Sequence, residues 1–196
     1  MEVQKKTEVS ALKKLFSLVL VLCLLCAGAA LAETVTQETT LELEGFTLTL
    51  NPGEIYELTE DAGAGQPYLM VYPLVGENDY GTNYGISTVN ASAGYNAEQM
   101  KKDIAGIEED FRTGMAAQSI QVEAFEVKEP WDDTLNEKPC TTFGYSTTIK
   151  SGDFSMKLFA RSIVVSSVNT NFIITASSEE ALEKAARQLS EALHFQ

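Results

Sequence analysis

Five oxygen-bearing side chains in two polar segments are the candidate ligands of a metal ion: Glu77, Asp79, Asn83, Asp132 and Asp133. Calcium takes carboxylate and amide oxygens as ligands, and the first three residues alternate in a glycine-rich segment as the ligands of a calcium loop do. The rest of an EF-hand pattern is missing from the sequence. Both groups therefore have a second interpretation as solvated loops, and calcium is the one cofactor that the sequence suggests.

Three aromatic residues are candidates for a binding surface: Tyr80, Tyr84 and Trp131. The tyrosines fall in the glycine-rich segment 76–85 and the tryptophan in the acidic segment 128–139, and both segments have the composition of loops. Exposed aromatic side chains anchor many interfaces because they bury a large apolar area and keep a polar tip. The alternative is that these side chains fold inward and cover the edges of the core.

Residues suited to catalysis are few. His194 is the single histidine, and it is expected in the last turn of a C-terminal helix, whereas a Ser-His-Asp site needs a histidine fixed against a carboxylate. Cys140 has only Lys138 nearby to stabilise a thiolate, so we expect a buried apolar residue. Asp132 and Asp133 are adjacent, and adjacent side chains on an extended segment point apart. We therefore expect no enzymatic site.

Net charge narrows the classes of partner. The 196-residue chain has a formal net charge of −14, which repels the phosphates of nucleic acids and of anionic lipids. The sequence has no glycine-rich phosphate loop, no His-rich tract and no cysteine pair beyond its first 32 residues, so nucleotide and zinc sites are not expected. The expected partner is a protein or a small ligand.

The first 32 residues have the composition of a secretory leader. Lys13 and Lys14 precede an apolar run, residues 15–32, that ends in Ala-Leu-Ala, the small-residue spacing that signal peptidase recognises. We predict cleavage after Ala32, a secreted or cell-surface location, and no membrane span in the remaining chain. The alternative is a retained membrane anchor, because the run approaches the length that spans a bilayer.

Two of the three cysteines lie in the predicted leader. Cys23 and Cys26 lie in the leader, where attachment of a lipid to either one is a third interpretation. Cleavage leaves Cys140 as the one cysteine, so no intrachain disulfide can form. We expect a short flexible tail, residues 33–39, followed by a single domain, residues 40–196.

Runs of β-branched and aromatic residues predict an antiparallel sheet. The clearest are residues 141–149 and 154–166, which are joined by turn residues at 150–153 and predict a hairpin. Residues 171–177 are expected to fold back on the second of these strands. Further strands are expected in these segments: 40–50, with a tight turn at Glu44-Gly45, and 67–75, 85–92 and 120–127.

Two amphipathic helices complete the prediction. Asn96 and Ser177 each precede a Gln or Glu by three residues, which is the spacing of a capping box. The first helix is expected over residues 97–115 and the second over residues 178–194, each with an apolar stripe. The element order predicts an α+β fold, in which an antiparallel sheet lies between these two helices, most simply with one helix on each face.

The chain resembles the PsbP-like domain family over about residues 40–196. The segments that carry the resemblance occur in this order: EGFTLTLNPGE, the helix NAEQMKKDIAGIEEDF, the strand IQVEAFEV, the hairpin TTFGYSTTIKSGDFSMKLFARSIVV, the strand NFIITAS and the helix SSEEALEKAARQLSEALHF. The similarity is one of element order and hydrophobic pattern. It implies an antiparallel sheet between helices and a non-catalytic, partner-binding role, and it transfers no role to a single residue.

These observations predict an exported, non-enzymatic binding domain with an acidic surface. The alternative is a secreted hydrolase or another enzyme with a carboxylate-based site, for which Asp132 and Asp133 are the first candidates.

Overall fold

A computed structural model of the protein describes residues 32–59, 62, 66–74 and 82–196. The predicted leader, with its cleavage site and the two alternatives to it, lies outside these residues apart from Ala32. In the part of the chain that the structure describes, no helix has both the length and the apolar character needed to cross a membrane.

Strands dominate the described residues. The twelve strands found there are β1 (Glu33–Thr34), β2 (Thr39–Leu43), β3 (Phe46–Leu50), β4 (Ile55–Leu58), β5 (Pro67–Tyr72), β6 (Asn83–Thr88), β7 (Gln121–Val127), β8 (Trp131–Leu135), β9 (Lys138–Ser151), β10 (Phe154–Val165), β11 (Thr170–Ala176) and β12 (Leu193–Phe195). The same residues contain three α-helices, α1 (Ala97–Asp103), α2 (Ile107–Ala116) and α3 (Glu179–Ala192).

Nine strands form one antiparallel sheet. Its order is β1-β4-β5-β6-β11-β10-β9-β7, and β8 pairs with β9 beside β7. The predicted β9–β10 hairpin is confirmed, with Ser151 opposite Phe154, and so is the return of β11 along β10. The second half of β10 and the whole of β11 are buried on both faces, as expected for strands in the middle of a sheet.

The other three strands form a second sheet in the order β12-β3-β2. The predicted turn at Glu44-Gly45 joins β2 to β3, and Gly45 has a φ of 85° that a residue with a side chain rarely adopts. β12 follows α3 directly and pairs with β3, with Phe195 opposite Phe46. The small sheet therefore closes only when the last residues of the chain meet strands from its beginning.

The predicted fold class is wrong. The described residues form a sheet-dominated fold with two antiparallel sheets and three α-helices, not one sheet held between two helices. The prediction placed the strands of residues 40–50 in a single sheet and continued the last helix to residue 194. Strand alternation shows which residues face the core, but hydrogen-bond partners far apart in sequence decide which sheet a strand joins.

Two cores lie on opposite faces of the large sheet. Alternate residues of β10 divide between them: Ile163 and Val165 join the core with α3 and the small sheet, while Leu158 and Val164 join the core with α1 and α2. We call these the α3 face and the α1–α2 face. Helices do lie on both faces, but α3 shares its face with three strands.

Three local predictions also need correction. The predicted helix 97–115 is two helices, because Gly106 has a φ of 91° and interrupts it. Ser178, not Ser177, caps α3, and its Oγ accepts a hydrogen bond of 3.1 Å from Ala181 N. The expected tail 33–39 contains β1, which pairs with β4.

Candidate functional site

Two adjoining cavities lie on the α3 face, between α3 and the strands β7 to β10. Their volumes are about 220 and 210 Å³, and Trp131 and Arg161 line both of them. We call the two cavities together the α3 groove, the first cavity being the one at the start of α3. Binding sites are usually concave surfaces, and this groove combines apolar and charged side chains in one concave region, so it is the candidate site.

Strand β8 brings Trp131 to the groove. Trp131 pairs with Thr142 of β9, and alternation places Asp133 and the buried Leu135 on the same face of the sheet. The Nε1 of Trp131 donates a hydrogen bond of 3.2 Å to the Asp133 Oδ2. The segment 128–139 was predicted as a loop, and the strand within it is a correction to that prediction.

A two-residue turn holds β8 against α3. Asn136 and Glu137 form the turn between β8 and β9, and both have positive φ values, 47° and 67°, the combination that defines a type I′ turn. Asn136 Nδ2 donates to Ser190 O at 2.7 Å and to Leu193 O at 2.6 Å. This side chain therefore satisfies carbonyl groups at the end of α3 that have no partner within the helix.

Arg161 connects the sheet to α3 in the wall between the two cavities. Its guanidinium donates through Nη1 to Glu183 Oε2 at 3.3 Å and through Nη2 to Glu183 Oε1. The ion pair is bidentate, which matches the planar guanidinium group of arginine. The hydrogen bond from Arg161, with the positive charge of that residue, lowers the pKa of the Glu183 carboxyl below its usual value.

Cations and aromatic rings line the first cavity. Lys128 Nζ lies 3.3 Å from Glu179 Oε1 in the first turn of α3. Lys157 Nζ lies 4.9 Å from the centre of the Phe159 ring, within reach of a cation–π contact. Leu182 of α3 supplies an apolar wall. The cavity can thus hold an apolar group next to positive charge.

Cys140 lines the second cavity. The side chain is buried, as predicted. Burial raises the pKa of its thiol to about 11, opposed by the contact of its Sγ with Thr142 Oγ1 at 4.0 Å. The residue is therefore a protonated thiol at neutral pH and packs as a small apolar group.

Asp132 lies on the α1–α2 face, away from Asp133. Its Oδ1 accepts a hydrogen bond of 2.8 Å from Ala97 N, in the first turn of α1, and one of 3.1 Å from Thr141 Oγ1. The two aspartates therefore point to opposite faces, as the sequence predicted for adjacent residues on an extended segment.

The remaining predicted site residues are separated from the groove. Asn83 and Tyr84 lie in β6, at 5% and 1% exposure, so the second interpretation of the tyrosine, as a residue folded inward, describes Tyr84. Glu77, Asp79 and Tyr80 lie outside the described residues. Strands β11, β10 and β9 separate β6 from β8. Among the described residues, no group of three His, Cys, Asp or Glu side chains is placed to hold a metal ion.

His194 is also placed differently from the prediction. It lies in β12, opposite Thr47, and its side chain is exposed. Sequence reasoning missed Arg161 and Glu183 as site residues. The available signal was a charged residue at an alternating position of β10, but its partner on α3 lies 22 residues away.

Comparison with known proteins found similar solved structures, all of those described here at low sequence identity. No family model and no curated protein matches the chain. The solution structure of cyanobacterial PsbP from Synechocystis is 12% identical, with a TM-score of 0.49 and coverage of 87% of this chain and 96% of that one. A protein of unknown function from Pseudomonas aeruginosa is 13% identical, with a TM-score of 0.37 and coverage of 78% and 92%. A PsbP structure is thus among those that the chain resembles, as the sequence predicted, and the similarity concerns the backbone arrangement alone.

Proposed function

We propose that this protein is an exported, non-enzymatic binding domain and that its ligand or partner binds in the α3 groove. The observation that carries the proposal is that Trp131 and Arg161 line both cavities. Tryptophan and arginine are the residue types that contribute most to binding energy at interfaces. Here both are held in place by strand pairing and by an ion pair with α3.

The alternative function, an enzyme with a carboxylate-based site, requires its two first candidates to converge. Acid–base catalysis needs both groups within reach of one substrate. Asp132 is bonded to the start of α1 on one face, whereas Asp133 lines the second cavity on the other face. This geometry favours the binding function.

Binding in the groove is tested by replacing Trp131 with alanine. We expect lost capture of partners from an extract of the export compartment, with the midpoint of thermal unfolding changed by only a few degrees, because Trp131 is half-buried at the edge of the core. Phe154→Ala is the matched control, since this residue is 61% exposed and lies beside the turn between β9 and β10. Equal capture by wild type and Trp131→Ala would contradict the proposal.

Export is a separate part of the proposal, supported by the leader composition of residues 1–32. Expression of the full chain in a secreting host is expected to give a processed protein that begins at Glu33. Sequencing of the N-terminus by mass spectrometry checks this. Recovery of the unprocessed chain in the membrane fraction would favour the retained anchor, and a lipid-bearing cysteine would favour lipid attachment.

A further inference from the structure

We propose that the α3 groove binds a carboxylate group attached to an apolar body, and that Lys157 and Arg161 receive the carboxylate. This proposal rests on the function proposed above, because it names the chemistry of the ligand for the same groove. Three observations support it: the distribution of cations, the hydrogen-bonding capacity of two of them, and the apolar walls beside them.

Lysine and arginine residues are concentrated in the groove. Of the ten Lys and Arg residues in the described part of the chain, four line the two cavities: Lys128, Lys157, Arg161 and Arg187. Four acidic residues line them as well: Glu126, Asp133, Glu179 and Glu183. The groove is therefore balanced in charge, although the whole chain has a net charge of −14. An anion meets less repulsion here than over the rest of this surface.

Lys157 is the open cation of the first cavity. It forms no ion pair with another described residue, and its ammonium lies over the Phe159 ring. Arg161 has further capacity, because a guanidinium carries five N–H donors and Glu183 accepts from only two of them. Both side chains line the same cavity. A carboxylate between them would accept charge-assisted hydrogen bonds from both.

Trp131, Phe159 and Leu182 supply the apolar walls of this cavity. Its volume is about 220 Å³, and a cavity of about 150 Å³ is enough to hold a benzene ring. One aromatic ring or a short aliphatic chain therefore fits beside the two cations.

A carboxylate fits this site better than a phosphate. Arginine and lysine bind either anion, but a phosphate monoester carries a charge of about −1.5 to −2 at neutral pH. The acidic surface of this chain repels a dianion more strongly than a monoanion. Because cations and acids line the groove in equal number, no excess of positive charge offsets the second negative charge of a phosphate monoester.

The test compares phenylacetate with its neutral counterpart phenylacetamide. Trp131 is the only tryptophan of the chain, so its fluorescence and the NMR signal of its indole N–H report binding in the groove directly. We expect phenylacetate to shift the indole signal in a saturable way, and phenylacetamide to bind about tenfold more weakly, because hydrogen bonds to charged groups contribute more than neutral ones. Added salt should weaken only the phenylacetate complex.

Two charge variants locate the anion site. Lys157→Gln is expected to weaken phenylacetate binding by about tenfold. Lys102→Gln is the matched control, because Lys102 is an exposed cation without an ion pair among the described residues and lies on α1, across the sheet. This control should bind phenylacetate as the wild type does. Equal loss of affinity in both variants would overturn the proposal, because the effect would then belong to net charge.

A second pair of ligands separates the two sources of the carboxylate. N-acetyl-Phe-Glu-amide and N-acetyl-Phe-Gln-amide differ only in charge, and stronger binding of the glutamate peptide would identify an acidic segment of a partner protein. Stronger binding of phenylacetate than of either peptide would identify a small organic acid. Equal binding of phenylacetate and phenylacetamide would overturn the proposal that the groove recognises a carboxylate. The proposed role of the groove as a binding site would stand. Failure of all four compounds to shift the indole signal, together with unchanged capture by Trp131→Ala, would overturn both proposals.

Discussion

Arg161 shows how a single side chain links packing to the proposed site. Arg161 lies on β10, and its side chain is 21% exposed. Its guanidinium group forms an ion pair with Glu183 of α3. Removing it would leave the carboxylate of Glu183 without its main partner and would merge the two cavities that it separates. The effect on stability should depend on pH, because the pKa of Glu183 is lowered in the folded state.

The sign of this dependence follows from linkage. An acid whose folded pKa lies below its unfolded value stabilises the fold above the unfolded pKa, and this contribution is lost as pH falls through the folded pKa. Arg161→Gln should therefore lower the free energy of unfolding at pH 7 by about 1 kcal/mol or less, the usual value for an ion pair open to water. Urea unfolding from neutral to acid pH should show this difference shrinking as pH falls below the ordinary glutamate pKa of about 4.3. A constant difference over that range would contradict the assignment.

Glu54 is a second carboxyl group with a shifted pKa, and its effect has the opposite sign. Burial raises its pKa, against the hydrogen bond of 2.7 Å that its Oε2 accepts from Asn51 N. A raised pKa in the folded state means that this group stabilises the protein less as pH rises from the unfolded pKa through the folded one. The two acids therefore oppose each other over the acid range, and the contribution of Glu183 appears only in the difference between wild type and Arg161→Gln.

At the scale of elements, the β8–β9 hairpin decides whether the groove exists. The hairpin presents Trp131 on the α3 face, and its turn is bonded to the end of α3 through Asn136. Asn136 Oδ1 also accepts a hydrogen bond of 2.6 Å from Ser190 Oγ. Strand and helix are thus fixed to each other at the end of the groove.

Two substitutions in the turn are expected to change the free energy of unfolding in opposite directions. Asn136→Ala should lower the free energy of unfolding by about 1–3 kcal/mol, because two carbonyl groups at the end of α3 lose their donor. Glu137→Gly should raise it by roughly 0.5–1 kcal/mol, because glycine adopts positive φ without the strain that a side chain causes. Thermal and urea unfolding check both values. Destabilisation by Glu137→Gly would show that its side chain has a role beyond the turn.

At the scale of the whole molecule, β12 joins the last residues of the chain to β3. The Phe195 ring lies 6.2 Å from that of Phe46 in the small sheet and 6.5 Å from that of Phe172 in the large one. Phe46 and Phe172 are themselves in edge-to-face contact at 5.5 Å. These three rings connect both sheets under α3, so the stability of the small sheet depends on the last residues of the chain.

Two substitutions in β12 test this connection. Phe195→Ala should lower the free energy of unfolding by about 2–3 kcal/mol, somewhat below the usual loss for a fully buried phenylalanine because Phe195 is only partly buried. His194→Ala is the control in the same strand, since its side chain is exposed and a change within about 0.5 kcal/mol is expected. Urea unfolding measures both. Equal effects would mean that backbone pairing, not the aromatic contacts, holds β12.

The sequence predicted the elements whose signals are local. The β9–β10 hairpin was predicted correctly because alternation and the turn residues occur within one continuous segment, and the cap at Asn96 because its side chain bonds three residues ahead. Trp131 was also selected from sequence, although as a residue of a loop. The strand itself was not predicted because Asp132 and Asp133 are of a residue type that strands disfavour, although Asn136 is of a type that turns favour.

By itself, the sequence determined the strand-rich centre, the capped helices and the acidic composition, since each depends on residue type and on spacing over a few positions. Only the tertiary structure decided that the last three strand residues leave the helical pattern, because their hydrogen-bond partners in β3 lie near the other end of the chain. The tertiary structure also determined where the groove forms, because Trp131, Arg161 and Glu183 lie on three different elements that are brought together by long-range packing. Local propensity sets which elements form, whereas pairing between distant segments sets which residues meet.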